Sequence, residues 1–455
     1  MRVHFIAIGG KIMHGLAIAL QQKGDQVSGS DDAIYNPSAG RLERHGLLPE
    51  AKGWFPERIT ADLDAVILGM HAQADNPEYQ RAIELGIPVY SFPEFVRQRA
   101  ENKTRVVIAG SHGKTTITAM VMHVLEALEK SFDYLVGGDV PGFPLSVRLS
   151  EDAPILVLEG DEYPASRIDP QAKFFHYDHH IAVISGIAWD HINIYPTFES
   201  YLKAFRQLAQ KTPAGGALLW NKQDKTLKNL LKEINTEGFT LQSYGAPKGR
   251  VQDGQTQVKT DEGWMPLQIF GKHNLSNLCA AESVCLQLGI ESSDFYQAMK
   301  TFRGAGQRLE VLHQHAGGIV LRDYAHAPSK WKATSEAVRE QFPKQRLLAV
   351  LELHTYSSLD PEFFPQFRHT LASADEVVIF CHYENLRLKG RPLPTLAALR
   401  EAFFHPDLHL ATSREALAQW LGTRNWDNHS LLFMSSGNFD TFDFTHFIET
   451  LPHTA

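Results

Sequence analysis

The stretch VVIAGSHGKTTIT, Val106 to Thr118, sets a lysine and two threonines directly behind two spaced glycines. A buried strand that turns tightly through glycines into a helix aims backbone N–H groups and the helix dipole at one point, which makes an anion site. The candidate cradle is Gly110, Ser111, His112, Gly113, Lys114, Thr115 and Thr116. The amides of Ser111 to Lys114 would hold phosphates, and Lys114 would add a mobile positive charge for the β- and γ-phosphates. The Thr115 hydroxyl would ligate Mg²⁺. The spacing departs from G-x-x-x-x-G-K-[ST]: that pattern needs a glycine at position 108, where Ile stands, and Gly110 comes two residues later. The competing reading is a glycine turn with a surface lysine. GKTT straight after a buried strand argues for a nucleotide, while the missing outer glycine argues against assigning it to the ordinary P-loop kinases or GTPases.

Three further stretches carry chemistry-bearing side chains. LEGDEY places Glu159, Asp161 and Glu162 behind an apolar strand, at the carboxyl end where α/β folds put ligands, so a carboxylate there could hold Mg²⁺ against phosphates. AWDHINIY repeats the arrangement with Asp190 and His191, which makes His191 a candidate second metal ligand. HYDHH, with His176, His179 and His180, invites zinc, but no fourth ligand stands at metal spacing, and the three are expected to line a polar strand end. The N-terminal IAIGGKIMHG is a weaker signal. A dinucleotide fingerprint would put glycines at Ala7, Gly9 and Ile12, and only Gly9 matches. Asp31 ends the next strand about where a ribose-binding acid would lie. A nucleotide-like ligand fits this turn better than NAD, and a ligand-free strand–helix turn is the alternative.

These residues need strands and helices to position them. VHFIAI, QVSGSD, AVILGM and IPVYSF read as strands separated by helical patterns such as MHGLAIALQQKG, and RQRAENKT reads as a linker. RVVIAG, PILVLEG and IAVISGIAWD are strands of a second unit, with FESYLKAFRQLAQ and HNLSNLCAAESVCLQLG as helices. GIVLRDYA, RLLAVLEL, DEVVIF and SLLFMSS belong to a third. Strands alternating with helices imply parallel pairing, so the expectation is three consecutive α/β domains. These are a Rossmann-like N-terminal domain over 1–98, a central P-loop ATPase-like domain over 104–306 and a Rossmann-like C-terminal domain over 307–455. The length of 455 residues agrees with about three domains of roughly 150. With 43% apolar and 21% charged residues and a net charge of −8, the chain is not expected to bind nucleic acid or an anionic membrane in general. Its three cysteines, Cys279, Cys285 and Cys381, form no metal spacing and suit a reducing cytoplasm. Charges and Gly9-Gly10 interrupt the apolar N-terminus, so it does not read as a secretion signal, and no apolar run is long enough to span a membrane.

Taken together these motifs resemble one family, the Mur ligases of peptidoglycan synthesis. AGSHGKTT looks like that family's shortened phosphate loop, GKHNLSNLCAA like its adenine-binding helix start, and GAGQRLE and LRDYAHAP like its linker-arginine and third-domain aspartate motifs. IGGKIMHG with VSGSD is similar to its UDP-sugar domain. The resemblance runs from about Val3 to Phe439. It implies a cytoplasmic, ATP- and Mg²⁺-dependent, ADP-forming ligase. Such an enzyme joins the lactyl carboxylate of UDP-N-acetylmuramate to an amine through an acyl phosphate.

Lys114, Glu159 and His191 would be the catalytic set, with Thr115, Glu159 and His191 on metal. His273, Asn274 and Asn277 would sit at the adenine, and Arg308 and Asp323 would complete the ATP site. Gly9, Gly10, Met13, Ser30, Asp31 and His71 would hold the UDP-sugar, and His326, His354 and Tyr356 the acceptor. ATP on one domain and acceptor on another implies closure, with Gly304 and Gly306 flanking a hinge. SDDAIYNPSAGRLERHG, DEYPASRIDPQAKFFHY and MSSGNF look most like the murein peptide ligase branch, which attaches the recovered tripeptide L-Ala-γ-D-Glu-meso-diaminopimelate in peptidoglycan recycling. The alternative is the branch that adds L-alanine in de novo synthesis. Several positions depart from the pattern: Pro164 for a second acid, Gln307 for an arginine, Arg322 for the first acid of a pair, and Ala327 for a second histidine. LELHTYSS, Leu351 to Ser358, matches neither branch and leaves the acceptor open. Arg206 lies near the position of a carbamylated lysine in some relatives, so no such modification is expected.

Overall fold

The computed structural model describes residues 1–189, 194–252, 254–315, 317–355 and 357–451. They divide into two compact units: Met1–Gly245 with Ser276–Met299, and Ala246–Leu275 with Lys300–Ala455.

The first unit holds two sheets. Strands β1 (Arg2–Ile6), β2 (Gln26–Ser30), β3 (Ala65–Leu68) and β4 (Val89–Ser91) form an all-parallel sheet in the order β2-β1-β3-β4. The helix Lys11–Gln22 returns the chain from β1 to β2 and buries every residue from Met13 to Leu20. The second sheet contains β5 (Thr104–Ala109), β6 (Asp133–Leu135), β7 (Val147–Arg148), β8 (Ile155–Glu159), β9 (Ile181–Ile184), β10 (Ala217–Asn221) and β11 (Thr240–Tyr244). Their order is β11-β10-β9-β5-β8-β6-β7, with only β7 antiparallel to its neighbour. Val106 to Ala109 are fully buried, as the unbroken apolar run requires of a strand covered on both faces. Because β5 lies between β8 and β9, the loop after β5 is flanked by the carboxyl ends of both. One apolar core joins the two sheets, from Val3 and Phe5 to Leu158 and Leu218.

RQRAENKT is not a free linker. Its first residues finish the helix Phe92–Gln98, and the Lys103 ammonium is buried against Asp133 (3.0 Å) and the Ala153 carbonyl (2.8 Å). A charge that deep is retained only with such partners.

The second unit begins with an antiparallel three-stranded meander that sequence patterning missed: β12 (Gly249–Gln252), β13 (Gln255–Thr260) and β14 (Gly263–Pro266). β12 is exposed throughout, so it carries no hydrophobic alternation to read. Strands β15 (Glu310–His315), β16 (Gly318–Asp323), β17 (Arg346–Glu352), β18 (Glu376–Phe380), β19 (Leu408–Ala411) and β20 (His429–Met434) form the main sheet, in the order β15-β16-β20-β17-β18-β19. Only β15 is antiparallel. Along β17, Leu347, Ala349 and Leu351 enter one core while Leu348 and Val350 enter another. The period of two therefore feeds apolar layers on both faces, the mark of a doubly wound sheet.

Candidate active site

The loop Gly110–Gly113 connects β5 to the helix Lys114–Ala127. Gly110 takes φ +122°, and a Cβ there would run into Ser185. Gly113 caps the helix in the left-handed region at φ +78°, with the Asn277 side-chain amide where its Cβ would be. These constraints explain why the glycines stand where they do and not at position 108. The end of β9 holds the loop: the Ser111 N–H donates to the Gly186 carbonyl at 3.0 Å, and the Ser185 hydroxyl donates to the His112 carbonyl. The Ser111 amide is thus hydrogen-bonded within the fold. The N–H groups at the start of a helix point past its first residues, the usual basis of an anion site.

Lys114 donates to the Gly110 carbonyl (2.9 Å) and to Glu162 Oε2 (2.7 Å). Burial works against the Lys114 ammonium, but Glu162, Asp161 and Glu159 outweigh it and hold the group above its ordinary range. The Thr115 hydroxyl donates to Glu159 Oε1 at 2.9 Å, and the Gly137 N–H fixes the other oxygen at 2.8 Å. A side chain on Gly137 would press on the Glu159 carboxylate, and one on Gly138 would press on Thr115. The cradle is two hard oxygen donors walled by two glycines. That donor chemistry fits Mg²⁺. Thr116 is buried in the same turn and His112 is half-buried.

Sequence reading named Glu162 without giving it a role, and it missed Ser111's partners. Glu162 is fully buried. Its Oε1 accepts from the Tyr201 hydroxyl (3.2 Å), which also bonds Ser111 Oγ (2.8 Å), and Ser111 Oγ accepts the Ala188 N–H (2.9 Å). Tyr201 sits on an amphipathic helix that reads as core, so nothing in the sequence marks it. Asp161 is occupied by Lys173 at 2.7 Å. His191 lies outside the described residues, as do Asp190 and Tyr356.

The HYDHH histidines do not line one polar strand end. His176 pairs with Asp169 (2.8 Å) beside Glu94, the buried His179 bonds Thr212 (3.0 Å), and His180 Nδ1 accepts the Arg105 N–H (3.0 Å). Burial pushes His179 down to about 4.

At the N-terminal turn, Gly10 precedes the helix and Asp31 closes the loop. Its carboxylate accepts from the Gly9 N–H (2.7 Å) and the Ala33 N–H (3.2 Å). Burial raises Asp31 above the usual carboxylate range against the pull of these two amides. Ser30 is buried and Met13 belongs to the core, while His71 is exposed.

In the second unit, Asp323 ends β16 and accepts from the N–H groups of Leu309 (2.7 Å) and Ala325 (2.8 Å), which fixes the turn after Arg308. The Arg308 guanidinium lies 4.3 Å over the Tyr324 ring. Arg322, where an acid was expected, pairs with Glu310 on the neighbouring strand at 2.9 Å. Burial lowers His273, opposed by Asp323, and Asn274 donates to the Phe270 carbonyl at 3.0 Å. His326 Nδ1 donates to the Tyr324 carbonyl at 2.9 Å. His354 Nε2 contacts Ser436 Oγ at 3.1 Å, and Lys389 donates to the His354 carbonyl. Beneath them the buried Glu352 accepts from Ser435 Oγ and from the Phe439 N–H (3.0 Å), a brace that sequence reading did not single out.

The chain matches three family domains in succession: "Mur ligase family, catalytic domain" over residues 2–104, "Mur ligase middle domain" over 108–285, and "Mur ligase, glutamate ligase domain" over 307–437. The chain belongs to the Mur ligase family. It is therefore an ATP-dependent, ADP-forming ligase of three α/β domains. A UDP-N-acetylmuramate–L-alanine ligase of Carboxydothermus hydrogenoformans is 32% identical over 391 residues, which covers 83% of this chain and 81% of that one. The solved UDP-N-acetylmuramate-alanine ligase of Thermotoga maritima superposes with a TM-score of 0.72 at 21% identity, over 99% of this chain and 98% of that one, and shows the shared fold. The UDP-N-acetylmuramate:L-alanyl-γ-D-glutamyl-meso-diaminopimelate ligase of Neisseria meningitidis is 26% identical with a TM-score of 0.59, over 66% of this chain and 98% of that one. Among the described residues of this Mur ligase no helix is long and apolar enough to cross a membrane.

Proposed function

We propose that this Mur ligase activates the lactyl carboxylate of UDP-N-acetylmuramate with ATP and joins it to L-alanine, in the cytoplasm. The observation that carries the activation half is the set Lys114, Thr115 and Glu159 at the mouth of one glycine turn. A carboxylate does not react with an amine at neutral pH because oxide would have to leave. Phosphorylation turns that oxygen into a leaving group, the amine attacks the acyl phosphate, and phosphate departs. Such transfer needs positioning and charge neutralisation more than covalent help from the protein.

Lys114 meets the charge that develops on the transferred phosphoryl group. Thr115 and Glu159 would hold one Mg²⁺ and His191 a second; bound there, the ions would act as Lewis acids on the phosphate oxygens. Asn277, packed on Gly113, supports the loop from the helix that carries the adenine motif. His273, Asn274, Arg308 and Asp323 complete the nucleotide set in this reading. Gly9, Gly10, Met13, Ser30, Asp31 and His71 serve the UDP-sugar, and His326, His354 and Tyr356 the acceptor.

L-alanine as acceptor rests on the 32% identity to the Carboxydothermus ligase across most of both chains. A second reading, the tripeptide L-Ala-γ-D-Glu-meso-diaminopimelate, is supported by the 26% identity to the Neisseria ligase and by the segment DEYPASRIDPQAKFFHY. Phosphate release from ATP, measured with UDP-N-acetylmuramate and each amine in turn, separates them. Release that needs both the sugar and L-alanine supports the main reading, and preference for the tripeptide by kcat/KM replaces it with the second. Release that needs neither sugar nor amine refutes both.

A further inference from the structure

We propose that Glu162 is a positioning residue for the ligase reaction, acting through Lys114 and tied to the phosphate loop by Tyr201 and Ser111. The inference rests on the ATP-activation reading above and deepens it.

The hydrogen bonds run in one direction. Glu162 as a carboxylate can only accept, so the Tyr201 O–H must donate to Oε1. Tyr201 has one proton, so at its contact with Ser111 the serine must donate. Ser111 in turn accepts the Ala188 N–H. The chain Ala188 → Ser111 → Tyr201 → Glu162 therefore ends on the same carboxylate that receives Lys114. Both oxygens of Glu162 are held, and the Tyr195 hydroxyl holds its carbonyl at 2.7 Å. A lysine ammonium has three donors. Here two are fixed, on the Gly110 carbonyl and Glu162 Oε2, which leaves one to meet a phosphate oxygen along a defined direction. Without Glu162 the flexible four-carbon stem would have a single fixed acceptor.

A carboxylate beside a triphosphate repels it. Glu162 therefore weakens nucleotide binding while it improves the placement of Lys114 for charge that appears only in the transition state. Binding and rate should part company when it is neutralised.

The test uses the full chain with Glu162→Gln, which keeps volume and an acceptor for Tyr201, and Glu162→Asp, which keeps the charge. For Glu162→Gln we expect kcat to fall at least tenfold with no rise in the KM for ATP. Its affinity for Mg-ADP by calorimetry should be equal to or tighter than wild type, and Glu162→Asp should recover part of kcat. Wild-type kcat in Glu162→Gln, or a weaker Mg-ADP affinity in it, overturns the proposal. If Glu162→Gln does not fold, Tyr201→Phe decides: a several-fold loss of kcat at constant ATP KM supports the proposal, and no loss overturns it. A wild-type chain that releases no phosphate in response to UDP-N-acetylmuramate and an amine would sink the ligase reading instead. The Mg-ADP comparison would still judge Glu162.

Discussion

Two strand–glycine–helix turns in this protein start from the same local recipe, each with a lysine entering the helix, and end with different hydrogen-bond partners. At Gly9-Gly10 the turn is closed from within: Asp31 takes the Gly9 amide, so the anion is supplied by the protein itself. Lys11 enters the first helix at an exposed position, whereas at Gly110–Gly113 Lys114 is folded back onto the Gly110 carbonyl and Glu162, and the acids around it come from the end of β8 and the segment after it. At the first turn a carboxylate occupies an amide of the turn itself; at the second the carboxylates hold the lysine and threonine side chains instead. The lesson is that the turn supplies amides in both cases and the neighbouring strand's side chains decide which ligand they can serve.

The sharpest way to break this contrast is Lys114→Ala. It should lower kcat by roughly 10²–10³-fold, read by phosphate release, because a charge acting on the transition state is lost; near-normal turnover would erase the distinction between the turns. Next is removal of Mg²⁺. Chelation should abolish turnover, and Thr115→Ala should raise the Mg²⁺ concentration for half-maximal rate by about tenfold, in line with about 1.4 kcal/mol for a lost ligand bond; an unchanged Mg²⁺ titration would reassign the cradle. A matched pair sharpens it further. Gly113→Val forces a branched side chain into φ +78° against Asn277, whereas at Gly9 the backbone is not left-handed and the nearest atoms belong to the Asp31 and Ile34 side chains. Strain of about 1–3 kcal/mol should make Gly113→Val the more destabilising in thermal unfolding, and the reverse order would deny the central turn its tighter constraint.

The smallest effect concerns Asp31 and pH. Its raised folded-state value means that the folded state holds the proton more tightly than the unfolded chain. The stability it contributes is present below the ordinary carboxylate value and is lost as pH rises through the folded value. Asp31→Asn should therefore gain stability relative to wild type as the pH is raised from about 3 to 7, and a flat difference would show that the two amides, not burial, govern this carboxylate.

Much of the fold was legible because the strands are long apolar runs. Thr104–Ala109 and the helix Phe198–Gln210 fall where the pattern places them. IAVISGIAWD is shorter as a strand than as an apolar run, because β9 stops at Ile184 and its next two residues turn to clasp the phosphate loop. The three HYDHH histidines share a sequence stretch but not a direction, since each answers to a different neighbour.

The sequence by itself determined the α/β alternation, the position of the phosphate turn and the chemical types gathered behind it, because these depend on short-range periodicity and on what glycine, lysine and threonine can do locally. The tertiary structure decided the partnerships. Lys114 meets Glu162 across 48 residues and Ser111 meets Tyr201 across 90 only because β8 and β9 flank β5. Strand order is fixed by the burial of whole faces, so no local pattern announces which distant side chains it will bring together.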